Sequence, residues 1–544
     1  MIRSGHREED DPFAEADYVV VGGGSAGCVV AGRLSEDPSV TVVLVEAGKR
    51  DRSSYIHLPV MHHKASGPAF TWGHHTSPSP HQDGIVAPFP QAKVLGGGSS
   101  INAQVYIRGT PQDYDSWRNE LGCAGWSYDD VLPYFIRAED NLGVSNAYHG
   151  VGGPLKVSDQ KSTHKLTHAW LKACQQAGIR FNPDFNARER AGCGLYQVTN
   201  RDGRRSSAAT AYLRPAEHRS NIKVMTETQA LRLLFRDQRA LGIEAWHRGT
   251  RRIIKARREV ILAAGAIGTP HLLMLSGIGP GGCVRQSGIE LVRDLPAVGK
   301  NLQDHPDIFM IYEQTGAHSY DKYKRLNWKA LAALQFALFG TGPIASNGFE
   351  GGAFWWVDRA ENTPDVQFHL LVGTRVRAEI ADVPGGNGCT LTAYLVRPKS
   401  RGTVSLRSPD PYAPPDINPN FFSDAGDLAK TVACVKLGRA IMSQAALGGF
   451  IRREHFPGDD VSTKDELESF VRKHARTAFH PAGTCRMGGD QDSVVDTQLR
   501  VRGVDGLRIA DNSIMPRLVS GNTNATAIMI GERAADFIKG NFSS

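Results

Sequence analysis

The chain of 544 residues has few cysteines, no long apolar run and no strong excess of either charge. Its eight cysteines, at positions 28, 123, 174, 193, 283, 389, 434 and 485, stand singly, without a C-x-x-C pair or zinc-ligand spacing. That argues against a disulfide framework or a structural zinc site and fits reduced thiols in a cytoplasmic protein. No stretch approaches the roughly 20 consecutive apolar residues that a membrane span needs. The first 16 residues are polar, acidic around positions 8–11, and lack the apolar core of a secretory signal, so export by that route is not expected. Lys and Arg number 63 against 56 Asp and Glu, a formal charge of +7. The cations are scattered except around Arg251-Arg252 and residues 255–258, beside strand-like stretches, so no nucleic-acid footprint is expected. Internal repeats and low-complexity segments are also missing.

What is present is length and glycine. A chain of this size exceeds what one hydrophobic core usually supports, so two domains are expected. Its 58 glycines imply many tight turns and close backbone approaches. Residues 1–15 read as a loose tail. Asp17-Tyr18-Val19-Val20-Val21 is a strand-length apolar run that ends in glycines, a helix-period stretch follows over 25–35, and Thr41-Val42-Val43-Leu44-Val45-Glu46 is a second strand. This βαβ order predicts a right-handed crossover and a parallel, doubly wound α/β sheet. Residues 51–110, rich in Pro, Gly and His, read as long loops. A helix is expected over 163–177, and apolar strands over 221–231 and 257–265. After Asp304 alternating strands such as 365–370 and 391–397 predict a largely antiparallel sheet covered by helices. The strand 506–511 and helix 525–537 return to the first domain. The expected division is a Rossmann-like domain from 16–153, 205–305 and 475–544, and a substrate domain from 154–204 and 306–474.

Gly22-Gly23-Gly24-Ser25-Ala26-Gly27 places G-x-G-x-x-G between that first strand and helix, with Glu46 and Ala47 closing the next strand. Here Gly22 permits the tight turn, Gly24 lets the backbone approach a pyrophosphate, and Gly27 allows close helix packing. The helix N-terminus favours negative charge. Glu46 is expected to accept from ribose hydroxyls, and its charge disfavours the extra phosphate of NADP. A second glycine loop, Lys93-Val94-Leu95-Gly96-Gly97-Gly98-Ser99-Ser100-Ile101-Asn102, can wrap a flat ring or a phosphate through backbone N–H groups. The histidine pairs 62-63 and 74-75 lack supporting carboxylates, and adjacent histidines tend to point apart, so no metal is expected. Far downstream, Phe479-His480-Pro481-Ala482-Gly483-Thr484 sets one histidine in a turn bounded by glycine and proline. Cys485 beside it has no partner group in the sequence to activate a thiolate.

In this order, the two glycine loops with Glu46, the stretch Gly265-Ala266-Ile267-Gly268-Thr269-Pro270 continuing to Ser276-Gly277-Ile278-Gly279-Pro280, and the His480 and Asn522 segments resemble the glucose-methanol-choline (GMC) flavin oxidoreductases. The resemblance runs from about residue 17 to 538. Within the family, Asp321-Lys322-Tyr323, Glu350-Gly351-Gly352-Ala353-Phe354-Trp355 and Arg397-Pro398-Lys399-Ser400-Arg401-Gly402-Thr403 are most similar to bacterial L-sorbose dehydrogenases, alongside choline dehydrogenase-like members.

The resemblance implies an FAD-dependent enzyme in which His480 takes the proton of an alcohol, polyol or sugar hydroxyl as hydride leaves carbon for flavin N5. An oxygen-using oxidase and a lyase on the same scaffold are the alternatives. Asn522 matches the partner residue, with Asn524 a neighbouring competitor, and either could instead cap the last helix. Relatives that bond FAD covalently use a histidine where this chain has Ile101, so FAD is expected to be dissociable. Flavin contacts carried over by position are Val94, Gly98, Ser99, Asn102 and Ala103 at the ring, Gln229 and Ala230 near adenine, and Asp511 on the ribityl or phosphate side. Ala264, Gly265, Asn522 and Thr523 complete the set. On the substrate side, His369 and Gln367 share a strand face by two-residue alternation, while Glu350 and Asn347 sit on a glycine-bounded loop. Electrons would pass to a quinone, cytochrome or dye, or to oxygen.

Overall fold

The computed structural model describes residues 14–374, 383 and 386–540, so the expected tail lies outside the described residues as far as position 13. The first apolar run forms the strand Ala14–Val21, buried from Ala16 onward. Covered on both faces, it reads as continuous hydrophobicity rather than alternation. The helix Ser25–Leu34 follows, and the strand Val42–Val45 returns parallel, with Tyr18 opposite Val42 and Val21 opposite Val45. The expected βαβ unit is therefore present.

These strands belong to a seven-stranded sheet ordered Ile222–Met225, Val42–Val45, Ala14–Val21, Thr250–Leu262, Arg239–His247 and Thr228–Arg236, with Leu507–Ile509 paired to the end of Thr250–Leu262. The first three, the end of Thr250–Leu262 and Leu507–Ile509 run parallel, while the 228–262 segment adds an antiparallel meander. One expectation fails here. The apolar stretch 221–231 is not one strand, because Glu227 adopts φ +55° and breaks it in two. The halves, Ile222–Met225 and Thr228–Arg236, lie at opposite edges of the sheet.

The second sheet is antiparallel along its path, ordered Ile451–Phe456, Pro306–Gln314, Gly388–Leu395, Val366–Leu371, Phe349–Trp355 and Gly192–Leu195. Helices Lys165–Gln176, Ala425–Met442 and Lys464–His474 cover it through Trp170, Val435 and Phe470. The expected antiparallel sheet and its helical cover are both found. The last helix, Asn524–Lys539, packs on the first. Ser25 Oγ donates to Asn524 Oδ1 at 2.9 Å, and Arg33 bonds Glu532, whose side chain is fully buried. Among the described residues no helix is long and apolar enough to cross a membrane.

Candidate active site

A cavity of about 1490 Å³ runs between the two sheets, lined by Val21 and Val45 from the first and by Phe309, His369 and Tyr394 from the second. A single drug-sized ligand fills roughly 300–1,000 Å³, so this space accommodates a dinucleotide and a substrate together.

One end is built from backbone. Gly22 turns with φ +105°, where a Cβ would lie 2.4 Å from the Ala263 carbonyl oxygen, and a Cβ on Gly27 would lie 1.9 Å from the Gly22 oxygen. Only glycine fits either place. The helix Ser25–Leu34 begins at Gly24 with no side-chain cap and no acidic residue in its first turn. Gly24, Ser25 and Ala26 line the cavity, so uncapped N–H groups and the positive helix end are available to an anion. The second glycine loop lies against the first. Gly96 N–H donates to the Gly23 oxygen at 2.7 Å, and a Cβ on Gly97 would meet Gly24 Cα at 2.6 Å. Glu46 accepts from Gly23 N–H at 2.9 Å and Gly48 N–H at 2.7 Å, one bond per carboxylate oxygen. Each oxygen keeps a lone pair for a ribose hydroxyl, and burial raises this carboxyl above its usual range. Asp511 accepts from Gly265 N–H, Thr269 Oγ1 and Ser513 N–H, and so anchors the start of the helix Gly265–Leu275.

Of the residues expected at the cofactor, Gly22, Gly24, Ser25, Ala26, Glu46, Ala47, Gly98, Asn102, Ala103, Gln229, Ala230, Ala264, Gly265, Asp511, Asn522 and Thr523 line the cavity, as does Ile101. Three stand behind the wall. Gly27 packs on the glycine turn, and Val94 is buried with Ile56 and Ala65. Ser99 Oγ donates to the Gly96 oxygen and accepts from Ala208 N–H. The side chains of Val94 and Ser99 thus hold the loop's shape.

The other end is built from side chains. The loop carrying His480 is stapled to residues 301–305: Gln303 and Ala482 exchange backbone hydrogen bonds, and Asp304 Oδ1 accepts from the N–H of His480 at 3.0 Å and of His305 at 2.8 Å. Thr477 Oγ1 donates to the other Asp304 oxygen. Burial still pushes this carboxyl up to about 7. Gln303 also accepts from Leu518 N–H, fixing the approach to Asn522.

The hydrogen-bond directions in this cluster follow from its carbonyls, which can only accept. His305 Nε2 lies 3.0 Å from the Val396 oxygen and so carries a proton. Burial depresses this imidazole to about 3, so it is neutral and its Nδ1 is a bare acceptor. His480 Nδ1, 3.0 Å away, must then carry the proton of that contact. Burial, reinforced by His305 and His369, also holds His480 well below its usual range, so His480 Nε2 is a lone pair. Asn522 Nδ2 donates to it at 3.2 Å. The Asn522 amide is oriented from its other side, where Oδ1 accepts from Gln367 Nε2 at 3.2 Å. Gln367 is fixed by Tyr394, which donates to Oε1 at 2.6 Å, and by Tyr196, which accepts from Nε2 at 3.1 Å while donating to the Phe368 oxygen. His369 Nε2 then donates to Tyr394, leaving its Nδ1 without a proton and without a protein partner. Burial keeps His369 neutral, at about 3.

The structure thus places Asn522 against His480, while Asn524 opens the last helix and bonds Ser25. His369 lines the cavity, and so does Asn347, whose Nδ2 donates to the Ala103 oxygen. Glu350 does not. It is fully buried, and four donors, Tyr320, Ser346, His164 N–H and Thr167, fill its carboxylate. The expected sugar contact is thus a structural residue. Cys485 is buried, and its thiol is held well above its usual range by burial and then by Asp511. Sequence reasoning missed Asp304, His305 and Tyr394. The polar run Asn301-Leu302-Gln303-Asp304-His305, directly ahead of the wholly buried strand Pro306–Gln314, was the available signal.

With this geometry established, comparison with known proteins is informative. The GMC oxidoreductase family model matches residues 16–307 with its N-terminal part and 398–531 with its C-terminal part. The chain is 42% identical over 531 residues to an oxygen-dependent choline dehydrogenase of Brucella ovis, covering 97% of this chain and 96% of that one. It is 41% identical over 527 residues to an alcohol dehydrogenase [acceptor] of Pseudomonas putida, covering 96% and 95%. Among solved structures it is similar to an Aspergillus oryzae formate oxidase studied for its FAD modification, with a TM-score of 0.92 and 26% identity, over 97% of this chain and 99% of that one. GMC oxidoreductases bind FAD, and the uncapped helix start, the paired glycine loops and the free lone pairs of Glu46 fit that dinucleotide. By sequence, by fold and by the residues of its cavity, the chain belongs to the GMC oxidoreductase family.

Proposed function

We propose that the protein oxidises the hydroxyl of a small alcohol, polyol or sugar to the carbonyl with dissociable FAD and passes the electrons to a quinone, cytochrome or comparable acceptor. The observation that carries this reading is His480 Nε2 held 3.2 Å from the Asn522 amide in the cavity that also crosses both glycine loops. When bound, FAD supplies the acceptor for the two electrons that leave the alcohol carbon. Gly24, Ser25 and Ala26 would hold its pyrophosphate and Glu46 its ribose. The second glycine loop, with Ile101 and Asn102, would wall its ring. Ile101 offers no atom for a covalent bond, and release of FAD into the supernatant on acid precipitation tests that point.

The remaining chemistry belongs to the side chains. The substrate hydroxyl donates to His480 Nε2, and its oxygen accepts from Asn522 Nδ2. As the proton moves to Nε2, the new charge on His480 is held by the Nδ1–H bond to His305 and by the developing alkoxide. Burial makes that imidazolium costly unless the alkoxide is present, which ties proton uptake to the oxidation step. Asn cannot act as a base, so His480 alone fills that role.

The named relatives act on choline and alcohols, which supports a small simple alcohol ahead of L-sorbose. A cytoplasmic setting belongs to the same reading, supported by eight unpaired cysteines. The deciding experiment mixes holoenzyme anaerobically with choline, aliphatic alcohols, aromatic alcohols, polyethers and L-sorbose, and follows the flavin absorbance. At least one alcohol should bleach it, with rapid recolouring by a quinone or dye. Rapid recolouring by air would make the protein an oxidase, and no bleaching by any alcohol would overturn the proposal.

A further inference from the structure

The helix Leu326–Phe339 inverts the usual arrangement of a surface helix. Of its 14 residues only Ala332 is buried. Leu326, Leu331, Leu334, Leu338 and Phe339 are 83%, 54%, 56%, 64% and 71% exposed, more large apolar exposure than on any other described element. Leu331, Leu334 and Leu338 recur at i, i+3 and i+7, so they form one outward stripe. Singly exposed leucines are ordinary on a soluble surface, but a contiguous apolar stripe marks a place where something else binds.

The charges around the stripe indicate what binds. Between Asp321 and Glu350 the sequence contains no acidic residue, but it carries Lys322, Lys324, Arg325 and Lys329. Lys324, Arg325 and Lys329 are exposed, Lys324 being paired with Asp321 at 2.7 Å. Lys322 stacks over the rings of Tyr323 and Trp328, at 5.2 and 5.0 Å. Leu and Phe projecting outward, with Arg325 and Lys329 beside them and no acidic residue within the helix, suit contact with the headgroup layer of an anionic bilayer. The same segment borders the active-site cavity, where Tyr320, Tyr323, Lys324, Lys329 and Ala332 form part of the wall.

We infer that Leu326–Phe339 docks the protein on an anionic lipid surface, with the cavity mouth turned toward the headgroups. Attachment is peripheral, by insertion of the leucine stripe and attraction of the neighbouring cations. Substrate or electron acceptor dissolved in the lipid then reaches the cavity without crossing open water.

The test is co-sedimentation of holoenzyme with vesicles of phosphatidylcholine, with and without phosphatidylglycerol. Binding should appear with the anionic vesicles, be roughly tenfold weaker or absent with phosphatidylcholine alone, and weaken as salt is raised. The triple variant Leu331→Ser, Leu334→Ser, Leu338→Ser should lose it while keeping bound FAD and its turnover with a soluble dye. Arg325→Glu should weaken it by roughly tenfold. Failure to bind either vesicle would overturn the inference. So would a concentration-dependent dimer that the triple variant abolishes while vesicle binding stays absent, since the stripe would then be a contact between copies of the chain.

Discussion

The two ends of the cavity are made of different material. The nucleotide end is backbone: glycines whose missing side chains let two loops touch, and a helix whose first N–H groups are uncapped. The catalytic end is a directional chain of side chains, in which the Val396 and Phe368 carbonyls decide which nitrogen of His305, His480 and His369 carries a proton. A backbone site tolerates almost nothing in place of glycine, and its N–H groups do not titrate. A side-chain site tolerates substitution sterically and fails through its protons.

The largest expected separation comes from Gly27→Val, which drives a side chain into the Gly22 carbonyl. It should abolish bound flavin altogether, and purification with a normal flavin spectrum would break the comparison. Next, His480→Ala should leave FAD bound but slow its anaerobic reduction by alcohol roughly 10²- to 10⁴-fold. Loss of flavin together with activity would mean that the two ends are not separable.

Acid should act most strongly on the side-chain end, where three buried imidazoles cluster. His305, His369 and His480 are neutral in the fold but charged in the unfolded chain below its histidine pKa of roughly 6.5. Their depressed values give stability that is full above that pH and is lost as pH falls toward about 3. Asp304, raised to about 7, works in the opposite sense, its contribution falling as pH rises from the unfolded carboxyl value toward 7. Three imidazoles against one carboxyl leave a net two protons taken up on unfolding. As pH falls below about 6.5 these groups should therefore lower stability overall, the imidazoles outweighing the carboxyl. Urea midpoints measured at several pH values check the slope, and a flat profile would mean that the imidazoles are already charged in the fold.

The smallest effect is expected from His305→Leu, which takes away the acceptor of His480 Nδ1–H and frees the base to adopt either tautomer. Flavin reduction should slow roughly tenfold with an altered pH profile, and His305→Gln, which restores an acceptor, should recover most of it. Equal loss in both variants would assign His305 a packing role only.

This contrast also explains what could be read before the structure was known. The nucleotide end was legible because glycine at fixed spacing is a local signal: Gly22, Gly24, Ser25, Ala26 and Glu46, with Gly98, Ile101 and Asn102 of the second loop, line the cavity. The catalytic end draws on segments near 304, 367, 394, 480 and 522, and no local pattern announces a hydrogen bond across such distances. His480 and Asn522 were identified through resemblance, whereas Asp304, His305 and Tyr394 were passed over. Glu350 misled because a carboxylate near glycines looks the same in sequence whether four internal donors fill it or none do. The strand 221–231 misled because hydrophobicity carries no mark of one left-handed residue at Glu227.

The strand Thr250–Leu262 is flanked at residues 260–262 by both the first strand of the sheet and the last, Leu507–Ile509, and the last helix lies on the first. During synthesis the N-terminal half must therefore wait for its closing pieces. At roughly 5–20 residues per second the interval between residues 262 and 509 is about 10 to 50 seconds, with one side of a hydrophobic strand unpaired. The base and its amide partner arrive in the same final stretch of chain. Flavin capture and catalytic competence are thus late events in the life of the polypeptide.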